Sequence, residues 1–363
     1  MSENDRQALA DAFDREIDPL ADHASTFDHV DVDVFGLFIE DVLRPKDPAE
    51  GTIVSYERTI EEWIEFMQGE DRHPACPHED HVKRFVRREL DEKGNTRRTA
   101  KKKLWELNKI YKYWQNGAEF PHPVDYNPFM IAKKKMSLST RRVKEPPRIP
   151  VEDLRDVVRD VKHIRDRAFI VTQLKLGLRA SEMANIKISE LNITNSEVAE
   201  HYPEMGTSPH VSRFENAVYI PHDREGNKSK RPRILPVDEE LRRLWMNYLL
   251  IRPDNEQPWL FLSRTSHSQV DDEAINLAWK RHFHPEYEET QQYRAVTSHY
   301  GRHRFTTFWR VEQDLNRELI KYMRGDTSAG GTTDPAGGID HYIHSYYEDI
   351  EPLYREQIYK LGI

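Results

Sequence analysis

His299-Tyr300-Gly301-Arg302-His303-Arg304-Phe305-Thr306 is the stretch on which the reading of this chain turns. On a helix, positions three apart share a face, so the His299 imidazole and the Arg302 guanidinium can meet one ligand group. Upstream lie Gly177-Leu178-Arg179-Ala180-Ser181-Glu182 and the basic turn Arg224-Glu225-Gly226-Asn227-Lys228-Ser229-Lys230-Arg231. Downstream lie Met323-Arg324-Gly325-Asp326 and Tyr342-Ile343-His344. Two arginines, a lysine and a histidine meeting at one point suit a pentavalent phosphate. They supply cations and donors for its non-bridging oxygens and a proton for a leaving oxygen. A tyrosine late in the chain can then be the nucleophile. Arginine serves better than lysine because its planar fork binds phosphate oxygens in a bidentate way. No metal site is expected, since no carboxylate or cysteine stands at ligand spacing from these histidines. Gly301 weakens a helix and predicts an irregular start to this one.

Around these words the chain reads as mainly α with a small antiparallel β-sheet. Residues 1–30 are acidic and poor in periodic apolar positions, and are expected to be mobile or only locally helical. Residues 31–132 read as a helical domain. Phe35, Phe38, Ile39 and Val42 give one apolar stripe, Tyr56, Ile60, Trp63, Ile64 and Met67 a second, and Val82, Phe85, Val86 and Leu90 a third. A fourth helix opens at Asn95 or Thr96 and carries Leu104, Leu107, Tyr111 and Trp114. Residues 133–150, with Lys133-Lys134-Lys135, Arg141-Arg142 and Pro146-Pro147, read as a basic linker. The second domain spans 151–363. Its helices are expected over 151–161, 165–176, 238–251, 271–283, 299–311 and 316–324, and its strands over 217–221 and 233–237. Ile350, Leu353, Tyr354, Ile358 and Leu361 predict an amphipathic helix in the tail.

The formal net charge of the 363 residues is −9, the wrong sign for a nucleic-acid partner if read globally. The distribution says otherwise. Residues 1–50 hold 14 acidic and 4 basic residues, whereas residues 93–148 hold 15 basic and 4 acidic. A solvated face would also be charged, but this density at a domain junction favours a polyanion. Arg97, Arg98, Lys101, Lys102 and Lys103 stand at the start of the fourth helix, where the dipole also favours phosphate. The lone Cys76 excludes an internal disulfide and fits a reducing cytoplasm. No apolar run reaches the ~18–20 residues of a membrane span, and the acidic start is not a signal peptide.

The order and local words are similar to those of the tyrosine recombinase (phage integrase) family, with a Xer-like catalytic domain, over about residues 30–363. His299 to Thr306 resembles the family's His-x-x-Arg-His-x-Phe-Ala, with Thr306 in place of alanine. Arg233-Ile234-Leu235-Pro236 resembles its Arg-x-x-Pro strand, and Tyr342-Ile343-His344 its Tyr-Thr-His. The resemblance implies a SAM-like helical core-binding domain followed by a mixed α/β catalytic domain that ends in an exchanged helix. It implies site-specific strand exchange on double-stranded DNA through a 3′-phosphotyrosine. Tyr342 would be the nucleophile, with Tyr346 and Tyr347 as alternatives. Arg179 and Arg302 would stabilise the transition state, Glu182 would support them, and His299 would assist. Lys228, with Lys230 as runner-up, would protonate the 5′ oxygen. Asp326 stands where the family has histidine or tryptophan; it can orient a basic group but not act as a cationic donor. DNA contacts would come from Arg97, Arg98, Lys101–Lys103, Lys133–Lys135, Arg141, Arg142 and Lys230. Neither cofactor nor metal would be needed. The implied assembly is a monomer in solution and a homotetramer on synapsed DNA, in the cytoplasm and with no membrane. The glycine-rich run before Tyr342 and the acidic composition resemble integrases of salt-loving archaea or their viruses. A topoisomerase IB-like nicking–closing enzyme, or a DNA-binding relative without cleavage, are the competing readings.

Overall fold

Each main helix of the first half carries one apolar stripe, and these stripes build its core. The computed structural model describes residues 3–48, 50–136, 138, 144–327 and 347–363. The chain divides into two units, Met1–Val143 and Lys144–Ile363. Unit 1 contains α1 (Glu3–Ala12), α2 (Ala24–Asp28), α3 (Val34–Phe38), α4 (Glu50–Gly69), α5 (Glu79–Arg87), α6 (Arg97–Asn116) and α7 (Pro128–Met136). Tyr56, Ile60, Trp63 and Met67 of α4 meet Val82, Phe85 and Val86 of α5 and Leu104, Leu107, Tyr111 and Trp114 of α6. Thr96 caps α6, its hydroxyl accepting from the Thr99 amide at 3.2 Å.

Three expectations for this unit need correction. The segment from residue 3 to 30 holds two short helices, as local helicity allowed, but it is anchored rather than mobile: Leu20 is fully buried in the core, with Ala24 and Phe27 packed against that core. Leu20, Ala24 and Phe27 stand at four- and three-residue steps, a short helix-spaced stripe set in an acidic segment. Lys133–Lys135 are not linker but the last turn of α7, whose Phe129 and Ala132 are buried. Cations there complement the negative end of the helix dipole, and the Lys135 ammonium lies 2.7 Å from both oxygens of Glu79. Lys103 points inward: it is buried and paired with Glu62 and Glu89. It shares the helix face of Ala100 and Leu107, so helix phase sends it to the core while Lys102 stays exposed.

Unit 2 contains α8 (Val151–Asp160), α9 (Ile164–Leu176), α10 (Ala180–Ala184), α11 (Ser196–His201), α12 (Glu239–Leu249), α13 (Asp272–Tyr287), α14 (Ser298–Thr307), α15 (Arg317–Arg324) and α16 (Tyr347–Gln357). Every residue of α9 from Ala168 to Leu176 is buried, as expected of a helix enclosed on all sides. Helices α8, α12, α13 and α14 pack around it. The sheet is β1 (Leu191–Asn192), β2 (Ala217–Ile220) and β3 (Arg233–Pro236), antiparallel in that order. Val218 pairs with Leu235 and Tyr219 with Ile234. The β2–β3 hairpin is the one expected; β1, two residues long, is too short to show a period.

Gly301 has a different role from the one its helix propensity suggested. The helix around it is regular, and a Cβ at Gly301 would lie 2.7 Å from Gln173 Cβ and 3.0 Å from Trp279 Cζ2. The glycine lets α14 approach α9 closely. The tail forms the amphipathic helix expected of it. Ile350, Tyr354, Ile358 and Leu361 are buried in unit 2 of their own chain. Beneath them Lys175, fully buried, donates to Asp238 and Glu240 at 2.8 Å and to the Tyr359 carbonyl at 2.6 Å. Glu240 in turn accepts the Leu361 and Gly362 amides at 2.8 and 2.6 Å. The tail therefore completes the core, and its removal would expose a buried ammonium as well as apolar surface.

Candidate active site

The end of α9 starts the site. Gly177 closes that helix in the left-handed region, at φ 63°, and a Cβ there would lie 2.5 Å from the Phe305 ring. The chain then turns so that Arg179 opens α10. Glu182 caps this helix, accepting the Arg179 amide at 2.9 Å through Oε2. Glu182 Oε1 accepts from Arg179 Nη1 at 2.9 Å, and Oε2 also accepts from Arg233 Nη2 at 2.9 Å. Arg302 Nη1 lies 3.8 Å away. Burial alone would raise the pKa of Glu182, but Arg233, Arg302 and Arg179 outweigh it and hold the carboxyl below the usual range.

Arg302, only 2% exposed, is fixed by its acceptors. Nη1 donates to the Gly177 carbonyl at 2.9 Å, and Nη2 to the Arg324 carbonyl and Asp326 Oδ1, each at 3.0 Å. Burial, then the neighbouring Arg179, lowers its pKa to about 9, which leaves it cationic at neutral pH. Arg179 Nη2 reaches the same Asp326 oxygen at 3.3 Å. Arg324 completes the ring: its Nε is 2.7 Å from Asp326 Oδ2, and its Nη1 donates to Thr306 Oγ1 at 2.9 Å. That contact gives the hydroxyl of Thr306 a use that alanine would lack. Burial disfavours the ionised form of Asp326, yet Arg302, Arg324 and Arg179 hold its pKa down.

Gly325, at φ 67°, ends α15. A Cβ there would lie 2.4 Å from Arg233 Nη1 and 2.7 Å from Ser229 Cβ. Its carbonyl accepts the Lys230 amide at 2.7 Å, which ties the β2–β3 turn to the arginine cluster. Asn185 holds the same turn from the other side, donating to the Glu225 carbonyl at 2.8 Å and to Asn227 Oδ1 at 2.9 Å. Lys228 is exposed. With Arg179 and His299 it lines a cavity of about 830 Å³, and with Arg179, Lys230, Arg324 and Asp326 a second of about 730 Å³. Lys228 borders both and Lys230 only the second, which favours Lys228. Partial burial, then His303 and Arg302, lowers the pKa of His299 and so favours its neutral ring.

The structure thus brings together Arg179, Glu182, Lys228, His299, Arg302 and Asp326. Tyr342, Tyr346, Arg141 and Arg142 lie outside the described residues. Tyr347 is buried; its hydroxyl donates to Glu351 at 3.0 Å and its ring packs on Phe214, so it faces the core. Sequence reasoning missed Arg233 and Arg324 as members of the cluster. Both stand inside words that were read, the Arg-x-x-Pro strand and the residue before Gly325, but nothing local marks an arginine as buried. Among the described residues no group of three or more His, Cys, Asp or Glu could hold a metal.

Comparison with known proteins covers the same region. Residues 149–329 match the model of the phage integrase family. The chain is 31% identical over 172 residues to tyrosine recombinase XerC of Bacillus pumilus (strain SAFR-032), covering 46% of this chain and 53% of that protein. It is 27% identical over 172 residues to XerC of Bacillus subtilis (strain 168), with the same coverage. The chain spans about half the length of the curated relatives it matches. Its fold is similar to that of the Tn1549 transposon integrase in complex with transposon right end DNA, at TM-score 0.58 and 16% identity, covering 88% of this chain and 97% of that one. The lambda integrase tetramer bound to a Holliday junction is similar at TM-score 0.58 and 11% identity, covering 90% and 88%. At these identities the structures speak for the fold alone.

Proposed function

Because this chain belongs to the phage integrase family, we propose that it is a site-specific DNA recombinase that cuts and rejoins strands through a covalent 3′-phosphotyrosine. The observation that carries this reading is the convergence of Arg179 Nη2 and Arg302 Nη2 on one oxygen position, beside Lys228 and His299. Two guanidiniums aimed at one oxygen are preorganised for the charge that builds on a non-bridging phosphate oxygen. Tyr342 attacks the phosphorus and its proton leaves to base or solvent. Lys228 gives a proton to the departing 5′ oxygen. The neutral His299 ring donates or accepts one hydrogen bond at the phosphate. Glu182 holds Arg179 and Arg233 in place. The phosphotyrosine keeps the bond energy of the broken linkage, so a 5′ hydroxyl can resolve it without ATP.

Unit 1 supports a DNA partner through α6. Arg98, Lys102, Trp105, Lys109 and Lys112 fall at three- and four-residue steps along one side of it, with Lys102 also 3.2 Å from the buried Glu106 carboxylate. Trp105 is 55% exposed, and the Lys109 ammonium lies 5.3 Å from its ring centroid. The stripe is about 21 Å long at the helical rise of ~1.5 Å per residue, and a helix fits a major groove of ~12 Å. The partners are two duplex recombination sites, held by four protomers that assemble on DNA from monomers. No helix among the described residues is long and apolar enough to cross a membrane, and we place the protein in the cytoplasm.

A suicide duplex that loses its 5′ fragment after cleavage tests the reaction. Wild type should become covalently linked to it, and Tyr342→Phe should bind the duplex but form no adduct. An adduct that survives Tyr342→Phe and disappears in Tyr346→Phe would reassign the nucleophile. No adduct with any duplex carrying the site would remove the recombinase reading.

A further inference from the structure

The oxygen position that both arginines address is already filled from within the chain. Asp326 Oδ1 accepts from Arg302 Nη2 at 3.0 Å and Arg179 Nη2 at 3.3 Å, and Oδ2 lies 2.7 Å from Arg324 Nε. The other terminal nitrogens of the pair are engaged elsewhere, Arg179 Nη1 on Glu182 and Arg302 Nη1 on the Gly177 carbonyl. A phosphate oxygen can take both Nη2 donors at once only if the Asp326 carboxylate gives way. We propose that Asp326 is an internal counter-anion that keeps small oxyanions out of the scissile-phosphate seat and yields it only to a phosphate presented by duplex DNA. This inference rests on the recombinase reading above.

Three features support it. A carboxylate and a phosphate oxygen have the same charge sign and similar hydrogen-bond demands, so two of them at ~4 Å repel and compete for the same donors. A lone phosphate gains only the donors that Asp326 already uses. A duplex also brings neighbouring phosphates to Lys228, Lys230 and Arg317, which line the same cavity, and those contacts offset the cost of displacement. Asp326 is also placed to move. It follows Gly325, which is left-handed, and its side chain is 29% exposed, unlike the fully buried Glu182 carboxylate.

A residue that merely held the arginines apart would behave in the opposite way when neutralised. The test uses the full chain and inorganic phosphate, titrated by calorimetry at constant pH and ionic strength. Wild type should bind phosphate weakly, and Asp326→Asn should bind it at least tenfold tighter at one site per chain. Arg179→Gln placed on top of Asp326→Asn should erase the gain. Phosphate should also inhibit adduct formation on the suicide duplex at lower concentration in Asp326→Asn than in wild type. Unchanged or weaker phosphate binding in Asp326→Asn overturns the proposal, as does a gain that survives Arg179→Gln. If Asp326→Asn does not melt cooperatively, Asp326→Ser takes its place in the same titration, with the same results for and against. The titration needs no cleavage, so wild type that forms no adduct would sink the recombinase reading while leaving the phosphate result to be judged separately.

Discussion

The α6 stripe of unit 1 and the arginine ring of unit 2 use the same kind of charge in opposite ways. On the α6 stripe Arg98, Lys102 and Lys112 are exposed and Lys109 half-buried, all at helical repeat. Their attraction for a polyanion adds up by number and is screened by salt. In unit 2, Arg233 and Arg302 are about 2% exposed, and carboxylates and carbonyls fix every orientation. Those charges do little for encounter and much for geometry, because a preorganised donor needs no rearrangement when charge develops. The difference shows why composition found the DNA-facing charge but not the chemistry. Net charge counts surface cations well, whereas buried cations arrive with their own counter-charges.

The contrast is most exposed to test at Glu182. Glu182→Ala leaves Arg233 buried without its carboxylate, and unit 2 should lose about 3–5 kcal/mol, read as a lower denaturation midpoint. The pH dependence follows in sign. The folded-state pKa of Glu182 is depressed, so its contribution is present above the unfolded carboxylate value and is lost as pH falls through the folded one. Glu182→Gln should remove that step from the acid side of the stability profile. A profile identical to wild type would mean that the ring does not depend on this ion cluster.

Arg302→Ala should slow cleavage of the suicide duplex by on the order of 10²–10³, as for other preorganised oxyanion donors. Arg302→Lys should recover little of it, since lysine cannot serve Gly177, Arg324 and a phosphate together. A rate within a few-fold of wild type would make Arg302 a structural residue. Lys103 and Lys112, nine residues apart on one helix, then test the comparison inside unit 1 itself. Lys103→Ala removes the closest cation from the buried Glu89 carboxylate, which keeps Asn95 at 2.7 Å and Lys93 at 3.5 Å, and should cost about 1–3 kcal/mol of stability while leaving the salt dependence of duplex binding unchanged. Lys112→Ala should do the reverse, lowering the log–log salt slope by roughly 0.9 with stability intact. Matching behaviour of the two variants would abolish the distinction. Smallest in effect, Trp105→Ala should weaken binding to a mixed-sequence duplex by about tenfold, the order expected for losing an aromatic contact of ~1–3 kcal/mol. Its salt slope should not change, because no phosphate contact is lost.

Local periodicity made much of this molecule legible. The stripes of α4, α5 and α6 stood in the sequence because a helix repeats every ~3.6 residues, and the His299–Arg302 spacing placed both on α14 for the same reason. The β2–β3 hairpin was readable from two apolar runs and a glycine turn. Other features had no local signature. Leu20 belongs to a stripe of only three core residues in an acidic segment, and nothing beside Tyr347 announces its burial. Gly301 was read by its propensity, but the close approach of Gln173, 128 positions away in the chain, is what requires it.

Which residues share a helix face, where the two longer strands lie and which words carry phosphate chemistry all follow from the order of amino acids alone. These depend on neighbours within a few residues, and backbone geometry translates such neighbours directly into position. Which charges meet is settled only when the chain has folded. Arg233 and Glu182 are 51 positions apart, and Arg302 and Asp326 are 24. Whether such pairs form depends on which helix faces pack together, a property of the whole core. The same holds for the tail. Its amphipathic stripe is written in the sequence, but that it closes over Lys175 of its own chain follows from a buried ammonium whose partners, Asp238, Glu240 and the Tyr359 carbonyl, come from two distant segments. A charge taken out of water needs all its partners at once, and only the folded chain assembles them.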